Sequence, residues 1–291
     1  MNRLYLKYID IWQCHNPSTE LNNIIKEIEK HLKGYQYYID KHNNIFIGDF
    51  DKELPCLVAH MDSIHQKKSK RFYYRKNILR SNKGIGGDDK CGIVAILEIL
   101  KQNKNVNAIL TSDEEVGGIG ALNIKPEKLK NVKYFIEIDR TGKNDIIFES
   151  GSNQIASDEF QKALLPWTQK YHFIEDFGLF TDVNILTKTS KKSAINVSCG
   201  YYKAHTKKEY VNLKDLQHTI YFVLAILVNI KDTFIWEDNQ NWNNQENAIN
   251  DILTSAYLFG ANNKISDLIL KAYELGQTEH EYNILDTMFR H

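Results

Sequence analysis

The sequence predicts an α/β fold: a three-layer domain with a mostly parallel twisted sheet flanked by helices, followed by a C-terminal helical tail. Apolar strand-like runs alternate with helical segments along the chain, which is typical of parallel sheets with helical crossovers. The 291 residues are 42% hydrophobic and 25% charged, the usual range of a globular protein with a sizeable core. We expect one domain over residues 1–235 and a helical appendage over 236–291.

The amino-terminal third is expected to begin with a helix and continue in strands. Asn16 to Glu20 supply a capping Asn, a Pro at the first helical position and an acidic first turn. Apolar residues then recur every three or four positions, so we predict a helix over 17–33 that ends at Gly34. Strands are predicted at Tyr35–Asp40, Asn44–Gly48 and Cys56–His60, and an exposed strand pair over 71–80.

From residue 91 the pattern alternates between helix and strand. Cys91 begins a helical pattern, and an apolar strand follows at Val106–Leu110. The remaining predictions for this part are strands at Tyr134–Ile138, 183–187 and 194–198, and helices over 158–170 and 212–231. This order supports the parallel sheet.

The last sixty residues differ in character from the rest. Glu237–Glu246 is polar and rich in Asn, and we interpret it as a linker. Three short amphipathic helices are predicted after it, at Ile249–Phe259, Ile265–Leu275 and Glu279–Phe289.

Composition excludes several classes of protein. The 37 Lys and Arg balance the 37 Asp and Glu, which argues against a nucleic-acid binder or a membrane-surface binder. The longest apolar run, Ile220–Ile230, is too short to span a bilayer. The first residues lack the apolar stretch of a secretory signal, and the four cysteines are scattered. We therefore expect a cytoplasmic protein.

Five segments share one feature: an apolar or Gly-rich run is followed closely by a carboxylate or an imidazole. Because the carboxyl ends of parallel strands meet at one edge of the sheet, we expect these residues to converge although they span 145 positions. The polar ends of the five segments are His60 with Asp62, Asp88-Asp89-Lys90, Asp113-Glu114-Glu115, Asp139, and His205.

This inventory suits a pair of divalent ions. Two imidazoles and three carboxylates are ligands for zinc, and also for manganese or cobalt. Two metals need a shared carboxylate, and one further carboxylate must remain free to take a proton from water. Neighbouring side chains point in different directions, so the pair Glu114-Glu115 is suited to provide one ligand and one base.

The same motifs, in the same order, resemble those of the co-catalytic zinc aminopeptidases. HisMetAsp, GlyGlyAspAspLys, AspGluGluValGly, IleAsp and the late TyrTyrLysAlaHis followed by GluTyrVal are most similar to peptidase T-type tripeptidases and related zinc exopeptidases, over roughly residues 50–220. Any one motif is weak alone, but five in order are specific. The resemblance implies a metallopeptidase with two divalent ions, most readily zinc, that hydrolyses short peptides.

Carried over residue by residue, the resemblance also implies roles. Glu114 is the general base, and Asp62 is the carboxylate that orients a metal ligand. The Asp88–Asp89 peptide is expected to be cis, as in relatives. The implied metal ligands are His60 and Asp139 on one ion, Glu115 and His205 on the other, and Asp88 bridging both.

The chain departs from the peptidase T pattern in two respects. Those enzymes carry a lid or dimerisation domain of about a hundred residues between the fourth and fifth ligands. Only 66 residues separate Asp139 from His205, so the chain looks more like the lidless single-domain aminopeptidases. The helical tail has no counterpart in the family pattern. If the protein forms a homo-oligomer, we expect the tail to carry the contact.

Two alternative functions are open for a protein with these residues. A metal-dependent deacylase or amidohydrolase acting on an acylated amino acid, or on a similar small amide, would use the same residues. A pseudoenzyme that serves as an interaction protein would have lost the base or the ligands, all of which are present here. Four further features remain open at this stage: His65 near the site, the structural candidates His172 and His218, Thr181-Asp182, and Arg140.

Overall fold

The computed structural model describes residues 2–151 and 153–237. Its α-helices are α1 (Arg3–Lys7), α2 (Ile9–Gln13), α3 (Asn22–His31), α4 (Gly87–Gln102), α5 (Ile119–Leu122), α6 (Asp158–Tyr171), α7 (Asp182–Ser190) and α8 (Leu213–Asn229). Its strands are β1 (Tyr37–Ile39), β2 (Ile45–Ile47), β3 (Leu54–His60), β4 (Phe72–Arg75), β5 (Ile78–Ser81), β6 (Asn107–Thr111), β7 (Val132–Arg140), β8 (Asp145–Ser150), β9 (Asn153–Gln154), β10 (Ile174–Gly178), β11 (Ala194–Ser198), β12 (Tyr201–Tyr202) and β13 (Tyr210–Asn212).

The main sheet has a parallel centre. Its strands run in the order β1-β2-β6-β3-β7-β11-β8-β10, with β9 paired to β8. The four central strands, β6, β3, β7 and β11, are mutually parallel. Antiparallel pairs lie to either side, where β2 joins β6 and β8 joins β11. The predicted α/β class with a mostly parallel centre is confirmed.

Apolar side chains alternate between the two faces of this sheet, so helices pack on both. Along β3, Leu57 and Ala59 belong to the core beneath α1–α4, α6 and α8. Cys56 and Val58 point the other way, into the core beneath α5 and α7. Burial of both faces explains the nearly continuous apolar runs that predicted these strands.

A second, four-stranded sheet runs in the order β12-β13-β5-β4 and is antiparallel throughout. Its β4 and β5 confirm the exposed strand pair predicted over 71–80. The sheet joins two distant parts of the chain, since β13 pairs with β5. It therefore brings the segment around residue 205 to the residues that follow β5.

Two predicted elements are wrong or shortened. The segment 183–187, predicted as a strand, lies inside α7, where the Asn184 side chain accepts the Thr181 N–H at 3.0 Å in a capping box. The helix predicted over 17–33 begins only at Asn22. The residues interpreted as its cap bind elsewhere: Ser18 Oγ donates to Asp62 Oδ2 at 2.7 Å, and the Thr19 N–H donates to Asp113 Oδ1 at 2.8 Å.

The 66-residue interval between Asp139 and His205 folds into the main domain. It forms α6, α7 and strands β8 to β11, and these strands extend the main sheet. The expectation that this interval holds no separate lid domain agrees with that arrangement. None of the helices in the described ranges is long and apolar enough to cross a membrane. The linker and the three helices predicted after residue 237 lie outside the described residues.

Candidate metal centre

The strand order brings the predicted site residues to one edge of the main sheet. His60 is the last residue of β3, and Asp139 is the last but one of β7. Residues 113–115 follow β6, which pairs with β3 so that Thr111 lies opposite His60. His205 comes from the loop between β12 and β13 of the small sheet.

Asp88 lies between the two histidines, with one carboxylate oxygen facing each. Its Oδ1 is 3.0 Å from His60 Nε2, and its Oδ2 is 3.2 Å from His205 Nε2. Glu115 Oε2 lies 3.1 Å from the same His205 nitrogen, and Asp139 Oδ2 lies 3.6 Å from His60 Nε2. The five residues form two adjoining groups that share Asp88.

The backbone around Asp88 is unusual. Asp88 and Asp89 have non-helical backbone angles although they stand in the first turn of α4. The Asp88–Asp89 peptide is cis, as expected from the resemblance. Gly87 is required by a close approach, because a Cβ there would lie 2.7 Å from Val211 Cγ2 and 2.9 Å from Tyr201 Cβ.

Asp62 connects three parts of the site. Its Oδ1 lies 3.3 Å from His60 Nδ1 and accepts the Glu114 N–H at 2.9 Å. Its Oδ2 accepts the Glu115 N–H at 3.2 Å and the Ser18 hydroxyl. The fully buried carboxylate thus orients the His60 ring and holds the backbone of both glutamates.

Electrostatics favour the binding of divalent cations here. Hydrogen bonds to Asp88 and Glu115 raise the pKa of His205 to about 11. Burial alone would lower the pKa of His60, but the carboxylates of Asp139, Asp62 and Asp88 raise it well above its ordinary value. A cluster that holds protons this tightly attracts a metal cation for the same reason.

The donor atoms also fit a metal. Ligand-type atoms of His60, Asp88 and Glu115 lie within 4.8 Å of one another, and His60, Asp89 and Asp139 form a second such group. Glu115 Oε1 and Asp89 Oδ2 are buried and have no hydrogen-bond partner among the described residues. Buried carboxylate oxygens without partners are costly unless a cation satisfies them.

Asp89 was not among the predicted ligands, although it stands in the same acidic pair as Asp88. Its Oδ1 accepts the Gly92 N–H at 2.8 Å, and burial raises its pKa well above the ordinary value. The signal available in the sequence, two adjacent acids after a Gly-rich run, does not say which of the two faces the histidines. The observed backbone turns Asp88 toward both of them.

Glu114 stands beside this cluster, 9% exposed. Burial raises its pKa well above the ordinary value, and the carboxylates of Asp182, Glu115 and Asp88 add to the rise. A carboxylate with a raised pKa, held by its backbone next to a metal-type cluster, has the properties of a general base.

Glu209 is the first residue of the GluTyrVal motif, to which the sequence interpretation gave no role of its own. Its Oε1 accepts the Asp88 N–H at 3.1 Å, and its Oε2 accepts the Gly86 N–H at 2.7 Å. The same Oε2 lies 2.7 Å from His65 Nε2. Glu209 is 1% exposed, and its buried carboxylate fixes the backbone at Gly86 and Asp88. Its place four residues after His205 was the available signal.

A second buried acidic pair lies between β7 and α7. Thr181 Oγ1 donates to Glu137, and Thr111 Oγ1 donates to Asp182. Burial and the proximity of Asp182 raise the pKa of Glu137 to about 8, and burial raises that of Asp182 to about 6. Thr181-Asp182 is thus both a helix start and part of the buried surroundings of the site.

The other residues left open take structural positions. Arg140 pairs with Asp176 at 2.6 Å, so it binds a neighbouring acid. His172 ends α6 in a left-handed conformation, and His218 Nε2 lies 2.8 Å from the Tyr171 carbonyl oxygen. His65 contacts Glu209, and Glu209 in turn accepts the Asp88 N–H.

Comparisons with known proteins identify the family and show the same fold. Residues 48–208 match the model of Peptidase family M28. Aminopeptidase PepT from Bacillus cereus aligns with a TM-score of 0.65 at 14% identity, over 77% of this chain and 97% of that one. A tripeptidase from Staphylococcus aureus aligns at 0.62 and 15%, over 77% and 97%. The TET1 peptidase of Pyrococcus horikoshii aligns at 0.62 and 16%, over 77% and 99%. The search of curated proteins finds no match.

Proposed function

The chain belongs to peptidase family M28 and is a metallopeptidase, and on that premise we propose that it is an aminopeptidase that uses two divalent ions, preferably zinc, on short peptides. The family supports the metal-dependent cleavage of peptide bonds. Activity on short peptides is supported by two proteins of similar fold, which are described as an aminopeptidase and a tripeptidase. Manganese and cobalt ions can also bind to histidine and carboxylate donors of this kind.

We assign the ligands from the two groups that share Asp88. His60, Asp88 and Asp139 would hold one ion, and Asp88, Glu115 and His205 would hold the other. When bound, such ions act as Lewis acids that polarise the scissile carbonyl and make water a stronger acid. The observation that carries the proposal is the position of Asp88, whose two oxygens face one histidine each.

Glu114 is the residue proposed to move the proton. It takes the proton from the attacking water and passes it to the amine of the leaving product. Asp62 supports this role because it accepts the Glu114 N–H and so holds the glutamate against the cluster. Asp62 also contacts His60 Nδ1, which leaves Nε2, on the side of Asp88, as the nitrogen that would hold an ion.

The first experiment measures metal content. Elemental analysis of the protein purified with zinc present should give close to two divalent ions per chain, and a chelator should abolish peptide hydrolysis. Zinc added back should restore it. Protein that binds no zinc under these conditions would overturn the ligand assignment.

A substrate panel then tests the reaction type. Dipeptides and tripeptides with free N-termini should be hydrolysed, and the same peptides with acetylated N-termini should not. The reverse preference, for acylated amino acids over free peptides, would identify a deacylase and contradict the aminopeptidase.

We also propose that the protein works in a reducing compartment, the cytoplasm. Cys14, Cys56, Cys91 and Cys199 are all free thiols in the structure, and the last three are buried. Free buried thiols are typical of reducing surroundings. Fractionation of the producing cells, with immunodetection of the protein, should find it in the cytoplasmic fraction.

A further inference from the structure

The small sheet and its loops carry an excess of positive charge. Residues 64–86 contain eight Lys or Arg and no Asp or Glu, and residues 200–212 contain three Lys and one acid, Glu209. We call these two segments together the basic platform. The chain as a whole has no net charge, so this excess is local.

The cations of the basic platform are available to a ligand. Except for half-buried Lys83, their side chains belong to exposed residues. None of them forms an ion pair within residues 2–151 and 153–237. The single acid, Glu209, is buried and already engaged by His65 and two backbone N–H groups. The platform therefore exposes cationic and neutral side chains but no acidic one.

The basic platform adjoins the candidate metal centre. His205 stands on its β12–β13 loop, with Lys203 two residues before it and Lys207 and Lys208 just after it. The other loop, residues 64–71, follows Asp62 and Ser63. Its position is fixed by two contacts: His65 contacts Glu209, and Ser69 Oγ donates to the Gly84 carbonyl oxygen. An anion held by the β12–β13 loop would therefore lie near His205, which stands on that loop.

We propose that the basic platform selects acidic peptides, so that the preferred substrates carry Asp or Glu side chains in addition to their terminal carboxylate. This inference rests on the proposed peptidase function and narrows its substrate class. A single exposed ion pair contributes about 0.2–1 kcal/mol to the binding free energy. Several cations around one site act together, and they also raise the association rate of an anionic substrate. Salt screens such interactions over about 8 Å at physiological ionic strength.

The test compares tripeptides that differ only in glutamate or glutamine, placed at each position in turn. At about 20 mM salt, we expect kcat/KM to be about 5- to 10-fold higher for the best glutamate peptide than for its glutamine partner. The ratio should approach one at about 0.5 M salt. The variant Lys207→Glu/Lys208→Glu should remove the preference, and Lys67→Glu/Lys68→Glu, on the other loop, should weaken it.

The control variant is Lys26→Glu/Lys162→Glu, which makes the same charge change on α3 and α6, outside the two segments of the platform. It should keep the glutamate-to-glutamine ratio of the unaltered protein. Equal rates on both peptides at low salt, with ordinary hydrolysis of each, would overturn the proposal and leave the peptidase intact. Hydrolysis of neither peptide by zinc-loaded protein would overturn the proposed function itself. Tighter binding of a single-stranded oligonucleotide than of the glutamate peptide would assign the platform to nucleic acid instead.

Discussion

At the scale of single residues, the roles within the Glu114-Glu115 pair are separated by what each side chain touches. Asp62 accepts the backbone N–H of both residues, but the Glu115 side chain faces His205, whereas the Glu114 side chain lies among buried acids. The order of motifs in the sequence was enough to nominate the residues that the structure brings together. It was not enough to nominate Asp89, Ser18 or Glu209, because their contacts depend on backbone directions that no local pattern encodes.

Glu114→Gln should retain both metal ions and lose most of the activity. The change is nearly isosteric and leaves all the proposed ligands in place, but it removes the base. We expect kcat to fall by about 10²–10⁴-fold with two zinc ions still bound, measured by steady-state kinetics and elemental analysis on one preparation. Near-normal turnover would show that Glu114 is not the base.

Glu115→Gln is the matched variant, since it makes the same chemical change one residue away. It should weaken zinc binding as well as slow the reaction, because an amide is a poorer ligand than a carboxylate. Titration with a zinc-binding dye should show reduced affinity for one of the two ions. Unchanged affinity for both would contradict the ligand assignment.

Glu209→Gln tests a residue that positions Asp88 without facing the metals. The Glu209 carboxylate accepts the backbone N–H groups of Gly86 and Asp88 and contacts His65. Glutamine has one side-chain oxygen and can accept only some of these hydrogen bonds, so the backbone at Asp88 is held less firmly. We expect weaker zinc binding, by about tenfold, as is usual when an outer partner of a ligand is altered. Glu209→Asp, which keeps the charge, should restore part of the affinity. Zinc titration and unfolding midpoint together distinguish this from a general loss of stability.

At the scale of elements, the sequence predicted the central strands of the main sheet but missed β8, in which Ile146, Ile147 and Phe148 are buried. Strands β3, β6, β7 and β11 are apolar and central, and all four were predicted. The strand β10 was missed because it forms an edge of the main sheet and four of its five residues are exposed. The segment 183–187, predicted as a strand, lies in α7 because the capping box at Thr181 begins a helix there.

The start of α7 gives the protein a specific dependence of stability on pH. Burial raises the pKa of Asp182 from 3.8 to about 6, so the folded state keeps a proton that the unfolded state has released. The free energy of unfolding should therefore fall as pH rises from 4 to 6. A shift of this size corresponds to a change of the order of 3 kcal/mol.

Asp182→Asn should remove this dependence. The difference in unfolding free energy between variant and parent should rise in favour of the variant from pH 4 to 7, because the variant has no carboxyl group to deprotonate at residue 182 and Glu137 no longer has that charged neighbour. Urea unfolding of metal-free protein at each pH gives the comparison. Parallel curves for the two proteins would show that Asp182 keeps its ordinary pKa.

At the scale of the whole molecule, the tail remains the proposed site of self-association. Its predicted helices carry apolar residues at helical spacing. We expect the full chain to be oligomeric and a chain ending at residue 237 to be monomeric by light scattering. A monomer in both forms would remove the idea.

The wide spacing of the site residues has a consequence for how the protein matures. His60 and His205 come from two sheets, and Asp88, Glu115 and Asp139 come from three further segments between them. Contacts between residues so far apart form late in folding, because the loops between them must close first. A pair of ions can therefore be captured with high affinity only by a chain that has completed both sheets. Loss of metal and loss of the native fold should then be coupled, so that ion binding would raise the free energy of unfolding and lower the population open to proteolysis in the cell.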